Sequence, residues 1–128
     1  VLTGAPIQGL AVAHAVARHL DVPMVFARTS VPLTMKNQRI LKSNAPAGTL
    51  HVSAEFLSES DRVLIVDDFL ATGSTSLALK LICKDAGASV SGFAFLALNC
   101  TRLVGQRREV PLRSCKDMLQ GDKIVVLA

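Results

Sequence analysis

The run Val63 to Thr75, V-L-I-V-D-D-F-L-A-T-G-S-T, constrains this chain more than any other stretch of it. Val63 to Val66 is continuously apolar and leaves no side for solvent. It reads as the core of a strand, Arg62 to Asp67, buried on both faces, the pattern of a parallel sheet covered by helices. The strand is expected to end in two adjacent carboxylates, Asp67 and Asp68, and open α/β sheets bind ligands at the carboxyl ends of their strands. Ala71-Thr72-Gly73-Ser74-Thr75 then turns through small residues into a helix, Ser74 to Ala86, with Ser/Thr hydroxyls expected at its start and Gly87 at its end.

Free backbone N–H groups and three hydroxyls converge on that turn, which makes it a point of attraction for an anion. Carboxylates accept hydrogen bonds from vicinal sugar hydroxyls, so the acid pair and the turn together fit a ribose 5-phosphate. A nucleoside-triphosphate loop would need a Lys after its second Gly, and none follows Gly73. A dinucleotide fingerprint, G-x-G-x-x-G, is absent here and in Gly4-Ala5-Pro6-Ile7-Gln8-Gly9. The bland alternative is that Asp67 and Asp68 merely cap a helix.

The rest of the chain supplies the frame. Val1 to Thr3 reads as the end of a strand, broken at Gly4-Ala5-Pro6. Gly9 to Leu20 carries a helical stripe of Leu10, Ala13, Val16, Ala17 and Leu20, leaving His14, Arg18 and His19 off it. Met24 to Ala27 is a strand ending at Arg28. Thr29 to Ala54 differs in kind: polar, bearing Lys36, Arg39 and Lys42, and interrupted by Ser43 to Gly48, it is expected to be a mobile excursion with strand arms on either side. Val90 to Leu98 and Lys123 to Leu127 complete the strands, with a short helix around Leu103 to Glu109. Alternating strands and helices give an α/β fold, a parallel sheet flanked by helices.

At 128 residues, half of them apolar, the chain can bury one core, and residues 1–128 are read as a single domain. No apolar run approaches the roughly 20 residues of a membrane span, and no signal peptide opens the sequence. The absence of an initiator Met points to N-terminal material before Val1. Cys83, Cys100 and Cys115 lack ligand or disulfide spacing and read as small buried residues in a reducing, cytoplasmic setting. A net charge of +4 allows a polyanionic partner, but with five Phe and no Trp or Tyr there is little for stacking nucleic-acid bases. No nucleic-acid or membrane partner is expected.

V-L-I-V-D-D-F-L-A-T-G-S-T resembles the signature of type I phosphoribosyltransferases, and the resemblance covers most of the chain. The Gly4 to Gly9 loop, its helix and V-P-M-V-F-A-R are similar to the purine branch, with F-A-R and D-D-F-L-A nearest the xanthine enzymes and the adenine enzymes next. The resemblance implies Mg²⁺-dependent transfer of a 5-phosphoribosyl group from phosphoribosyl diphosphate to a purine base, xanthine favoured, in purine salvage by a homodimer. Asp67 and Asp68 would hold the ribose hydroxyls, and meet Mg²⁺ only through substrate or water. Ala71, Thr72, Gly73, Ser74 and Thr75 would hold the 5-phosphate. Gly4, Ala5, Pro6, Ile7, Gln8 and Gly9 would match the diphosphate loop, with Arg28 facing the same group. The excursion would match the flexible catalytic loop, with Lys36 and Arg39 as its catalytic cations and Lys42 beside them. Each of these also fits a solvated loop charge. Phe69 would wall the base.

The sequence departs from its relatives at several places. Pro6 and Gln8 stand where adenine enzymes carry an acid and an arginine. Ala71 replaces the Asp of the hypoxanthine and guanine enzymes, so no general base for the purine is available there. Asn99-Cys100-Thr101 replaces an acidic residue after the strand. His51 and Lys123 are secondary candidates for contact with substrate. An adenine phosphoribosyltransferase and a non-catalytic, phosphoribosyl-diphosphate-sensing purine regulator are the alternatives.

Overall fold

The structure is a computed structural model and describes residues 1–4, 8–35, 38–45, 48–70, 73–98 and 122–126. In chain order its elements are β1 (Leu2–Gly4), α1 (Gln8–Leu20), β2 (Val25–Ala27), a 3₁₀ turn at Leu33–Met35, β3 (Ile40–Ala45), β4 (Gly48–Ser53), β5 (Arg62–Leu70), α2 (Ser74–Ala86), β6 (Ser89–Leu98) and β7 (Ile124–Val126). Five strands form one sheet in the order β2-β1-β5-β6-β7, and every pairing in it is parallel. The expected α/β architecture is therefore present. Among the described residues no helix is long and apolar enough to cross a membrane.

The strand order decides where a ligand can sit. From β1 the chain steps through α1 to β2 on one side, whereas from β5 it steps through α2 to β6 on the other. Right-handed crossovers then put α1 and α2 on opposite faces of the sheet. Between β1 and β5 the connections diverge and leave a crevice at the carboxyl ends of the two strands. Gly4 ends β1 beside this crevice, and the acid pair lies near the carboxyl end of β5.

Helix α1 packs on β1 and β5 through a face of small residues, Gly9, Ala13 and Ala17, all buried at four-residue spacing. Small side chains let its backbone approach the sheet closely. Leu20, expected on the same stripe, is half exposed, because the stripe ends before the last turn. Helix α2 closes with Gly87 in the left-handed region (φ 79°), as expected; its N–H donates to the Lys84 carbonyl and the Ala88 N–H to that of Cys83. At its start the expectation fails. Gly73, also left-handed (φ 78°), is the cap residue, and no side-chain hydroxyl makes the capping hydrogen bond.

The excursion needs the largest correction. Its strand arms exist as an antiparallel pair, β3 with β4, but they are not a polar flap. Leu41, Leu50 and Val52 are at most 1% exposed and join Leu2, Ile65, Leu79, Ile82, Phe93 and Phe95 in one apolar cluster. The hairpin covers α2, and each of its buried side chains stabilises the fold by about 1.5–3 kcal/mol. The expected helix at Leu103 to Glu109, and Cys100 and Cys115, lie outside the described residues. Cys83 is fully buried, as a structural cysteine should be, and burial pushes its thiol up to about 11.

Candidate functional site

Strand β5 does not end at its carboxylates. It stays paired with β6 through Phe69 and Leu70, so Asp67 and Asp68 lie inside a hydrogen-bonded strand with fixed backbones. Their environments differ sharply. Asp67 is only 7% exposed, and Asp68 is partly open to solvent. Each carboxylate is tied to the next backbone amide: the Asp68 N–H donates to Asp67 Oδ1 at 2.9 Å, and the Phe69 N–H to Asp68 Oδ1 at 2.8 Å. Burial pushes the Asp67 carboxyl up from its ordinary 3.8 to about 7. The Asp68 N–H opposes that shift, and the Asp68 carboxylate adds to it. Among the described residues no cation forms an ion pair with either acid; the ion pair present, Lys80 with Asp122, is elsewhere.

Burial of Asp67 depends on Gly9. A side chain at Gly9 would collide with Asp67 Oδ1 and would come within 3.3 Å of the Asp67 Cα and 3.0 Å of Thr3 Oγ1. Helix α1 can seat on β5 only because that space is free. Gly4 serves the core instead: a Cβ there would lie 3.3 Å from both Leu50 Cδ1 and Leu79 Cδ2. Thus two glycines read from the sequence as a ligand loop are also close-approach positions, one beneath the acid pair and one beneath the hairpin. Gln8 opens α1 and is exposed; Ala5, Pro6 and Ile7 lie outside the described residues.

Beyond the strand, Gly73 is buried, and Ser74 and Thr75 form the first turn of α2. The Gly73 carbonyl accepts the Leu77 N–H at 2.8 Å and so opens the helix, whose N-terminal end carries the positive end of the helix dipole. Ala71 and Thr72 lie outside the described residues. Phe69 is 54% exposed, available as a wall and not consumed by the core.

The basic candidates sit on the hairpin side. Arg28 follows β2 with an exposed side chain, and its backbone is bridged to His51 of β4 by two hydrogen bonds of 2.9 and 2.7 Å. His51 Nδ1 adds a 3.2 Å contact to the Arg28 carbonyl, so His51 binds the hairpin to the sheet. Arg39 is exposed just before β3, and Lys42 is exposed opposite His51. Lys36 lies outside the described residues. Lys123 is exposed before β7, its carbonyl accepting from the Phe93 N–H at 2.8 Å, while His14 and His19 are exposed on α1. Asn99-Cys100-Thr101 also lies outside the described residues.

Sequence reasoning passed over Thr3. Its side chain is fully buried, yet Oγ1 has no hydrogen-bond partner among the described residues. No sequence signal marks it, because its place beside Asp67 arises only when β1, α1 and β5 come together.

Fold and site define an α/β protein with an acid pair and the start of a helix at its topological switch point. The phosphoribosyl transferase domain model matches residues 1–126, and the chain belongs to that family. It is 41% identical over 91 residues to a xanthine phosphoribosyltransferase of Deinococcus deserti, an overlap of 67% of this chain and 47% of that protein. A xanthine phosphoribosyltransferase of Staphylococcus aureus is 41% identical over 129 residues, 93% of this chain and 67% of that one. Among solved structures, the adenine phosphoribosyltransferase of Thermoanaerobacter pseudethanolicus matches 98% of this chain and 67% of its own with a TM-score of 0.76; at 24% identity, that likeness concerns the fold alone. The matched region spans about half the length of the first curated relatives, 47% and 48%.

Proposed function

We propose that this chain is the catalytic core domain of a phosphoribosyltransferase that moves the 5-phosphoribosyl group from phosphoribosyl diphosphate to a purine base, with xanthine favoured. The observation that carries the reading is the Asp67-Asp68 pair on a rigid strand at the switch point, followed at once by the Gly73-led start of α2. Sequence similarity to xanthine phosphoribosyltransferases supports the choice of base.

In this reading Asp67 and Asp68 accept hydrogen bonds from the ribose hydroxyls, and Ala71 to Thr75 receive the 5-phosphate. The Gly4 to Gly9 loop and Arg28 receive the diphosphate. A base nitrogen attacks C1 of the ribose as the bond from C1 to the diphosphate oxygen breaks, and the proton of that nitrogen passes to the released diphosphate or to solvent. The ribosyl centre gains oxocarbenium character, as in glycoside cleavage, and negative charge collects on the leaving oxygens, where Lys36 and Arg39 act. Exclusion of water protects the cationic centre from hydrolysis. Phe69 supports the base.

Among the described residues there is no cluster of three acidic, Cys or His side chains to cage a metal. A lone carboxylate pair beside a diphosphate site suits Mg²⁺, which keeps waters and is held largely through substrate oxygens. When bound, Mg²⁺ supplies charge neutralisation to the diphosphate. The family resemblance extends the reading to a cytoplasmic homodimer.

The test is incubation of the protein with phosphoribosyl diphosphate, Mg²⁺ and a panel of xanthine, adenine, other purines and pyrimidines, with diphosphate release measured. Release is expected with a purine, fastest with xanthine. Fastest release with adenine would reassign the base, and binding without release from any base would identify a sensor rather than an enzyme.

A further inference from the structure

Thr3 is 0% exposed and its hydroxyl is unpartnered among the described residues. An apolar β-branched side chain would suit the same position in β1 without stranding a polar atom, and stranded buried hydroxyls are costly. The hydroxyl therefore needs a use. It borders the space left by the missing side chain of Gly9: the ideal Cβ position lies 3.0 Å from Thr3 Oγ1 and still closer to Asp67 Oδ1. Two buried oxygens from different strands thus crowd one point under helix α1, one with a donor to give and the other on a carboxylate.

We infer that Thr3 is a positioning residue for Asp67, its hydroxyl donating to that carboxylate, directly or through one water, when the ribose hydroxyls of the substrate engage it. The inference rests on the proposed ribose-binding role of the acid pair. An ionised carboxylate has about four acceptor positions, and Asp67 Oδ1 is given the Asp68 N–H. Burial disfavours the ionised form of Asp67, so a further donor from below keeps it able to accept from the ribose. Gly9 puts no side chain between the two oxygens, which lie 2.4 and 3.0 Å from one point and so at most about 5.4 Å (2.4 + 3.0) apart. In the ligand-free chain the hydroxyl is a cost; in the complex it contributes.

Stability and binding should therefore respond differently to changes at Thr3. In the whole protein, Thr3→Val should leave the melting temperature unchanged or raised. It should also weaken phosphoribosyl diphosphate about 10-fold, seen in KM and in direct titration, with kcat and the KM for the base little changed. Thr3→Ser keeps the hydroxyl and should restore affinity while melting lower, having lost a buried methyl. Inorganic phosphate, which lacks the ribose hydroxyls, should bind wild type and Thr3→Val equally. If wild type binds phosphoribosyl diphosphate and Thr3→Val matches it, or if Thr3→Ser is as weak as Thr3→Val, the positioning role is overturned and the proposed function stands. A wild-type protein that binds no phosphoribosyl diphosphate overturns both.

Discussion

Strand β5 with the start of α2, and the hairpin β3–β4, both present polar residues at the carboxyl edge of the sheet, but they hold them in opposite ways. On β5 the functional candidates are part of the buried framework: Asp67 is 7% exposed, seated under Gly9, with an amide hydrogen bond on each carboxylate of the pair. On the hairpin the candidates Arg39 and Lys42 are exposed, while different residues, Leu41, Leu50 and Val52, are sunk in the core. A group that must hold a neutral diol in one orientation gains from rigidity. Cations that meet a departing anion gain from reach. The arms of the hairpin are packed against α2, so their backbones are held with the core.

The largest test of that contrast is Leu41→Ala, which removes a fully buried side chain from β3. It should cost about 2–5 kcal/mol of stability in urea titration. A loss below about 0.5 kcal/mol would mean that the hairpin is a flap after all. Next comes Gly9→Ala, where the added methyl meets Asp67 Oδ1 and Thr3 Oγ1. Overpacking there should cost about 1–3 kcal/mol and weaken phosphoribosyl diphosphate binding, whereas unaltered binding would show that the seat of Asp67 under α1 is irrelevant to the ligand.

A third test concerns pH. Asp67 holds its proton to about pH 7 when folded and to about 3.8 as an ordinary carboxyl. Between those values the folded chain binds more protons than the unfolded one, so its stability falls as pH rises from about 4 to about 7. Asp67→Asn cannot ionise and should flatten that fall, seen as a smaller drop in melting temperature across the same window. Equal slopes in wild type and variant would place the carboxyl in a wetter setting than its burial implies.

The same contrast explains what could be read from the sequence. The β5–α2 unit is contiguous, and its apolar run, adjacent acids and small-residue turn each have a local physical meaning, so strand, site chemistry and Gly87 stop were legible. Its errors were local too: the strand continues to Leu70 because β6 keeps pairing with it, and Gly73 rather than a hydroxyl begins α2. The hairpin's strand arms were legible, but its place in the core was not. Leu41, Leu50 and Val52 acquire their meaning from contact with α2, over 20 residues away in the chain for each of them. The buried hydroxyl of Thr3 and the close-approach role of Gly9 were hidden for the same reason, since a close contact shared by three elements leaves no periodic trace.

The central claim, that the acid pair recognises ribose and is not merely structural, is tested most directly by titrating phosphoribosyl diphosphate with Mg²⁺ into wild type and Asp68→Asn, with melting temperatures recorded alongside. Asp68 is the more open of the two acids, and its loss should leave the fold intact while weakening binding by about 10-fold or more. Equal affinity in the two proteins, or an Asp68→Asn chain that no longer folds, would contradict the account.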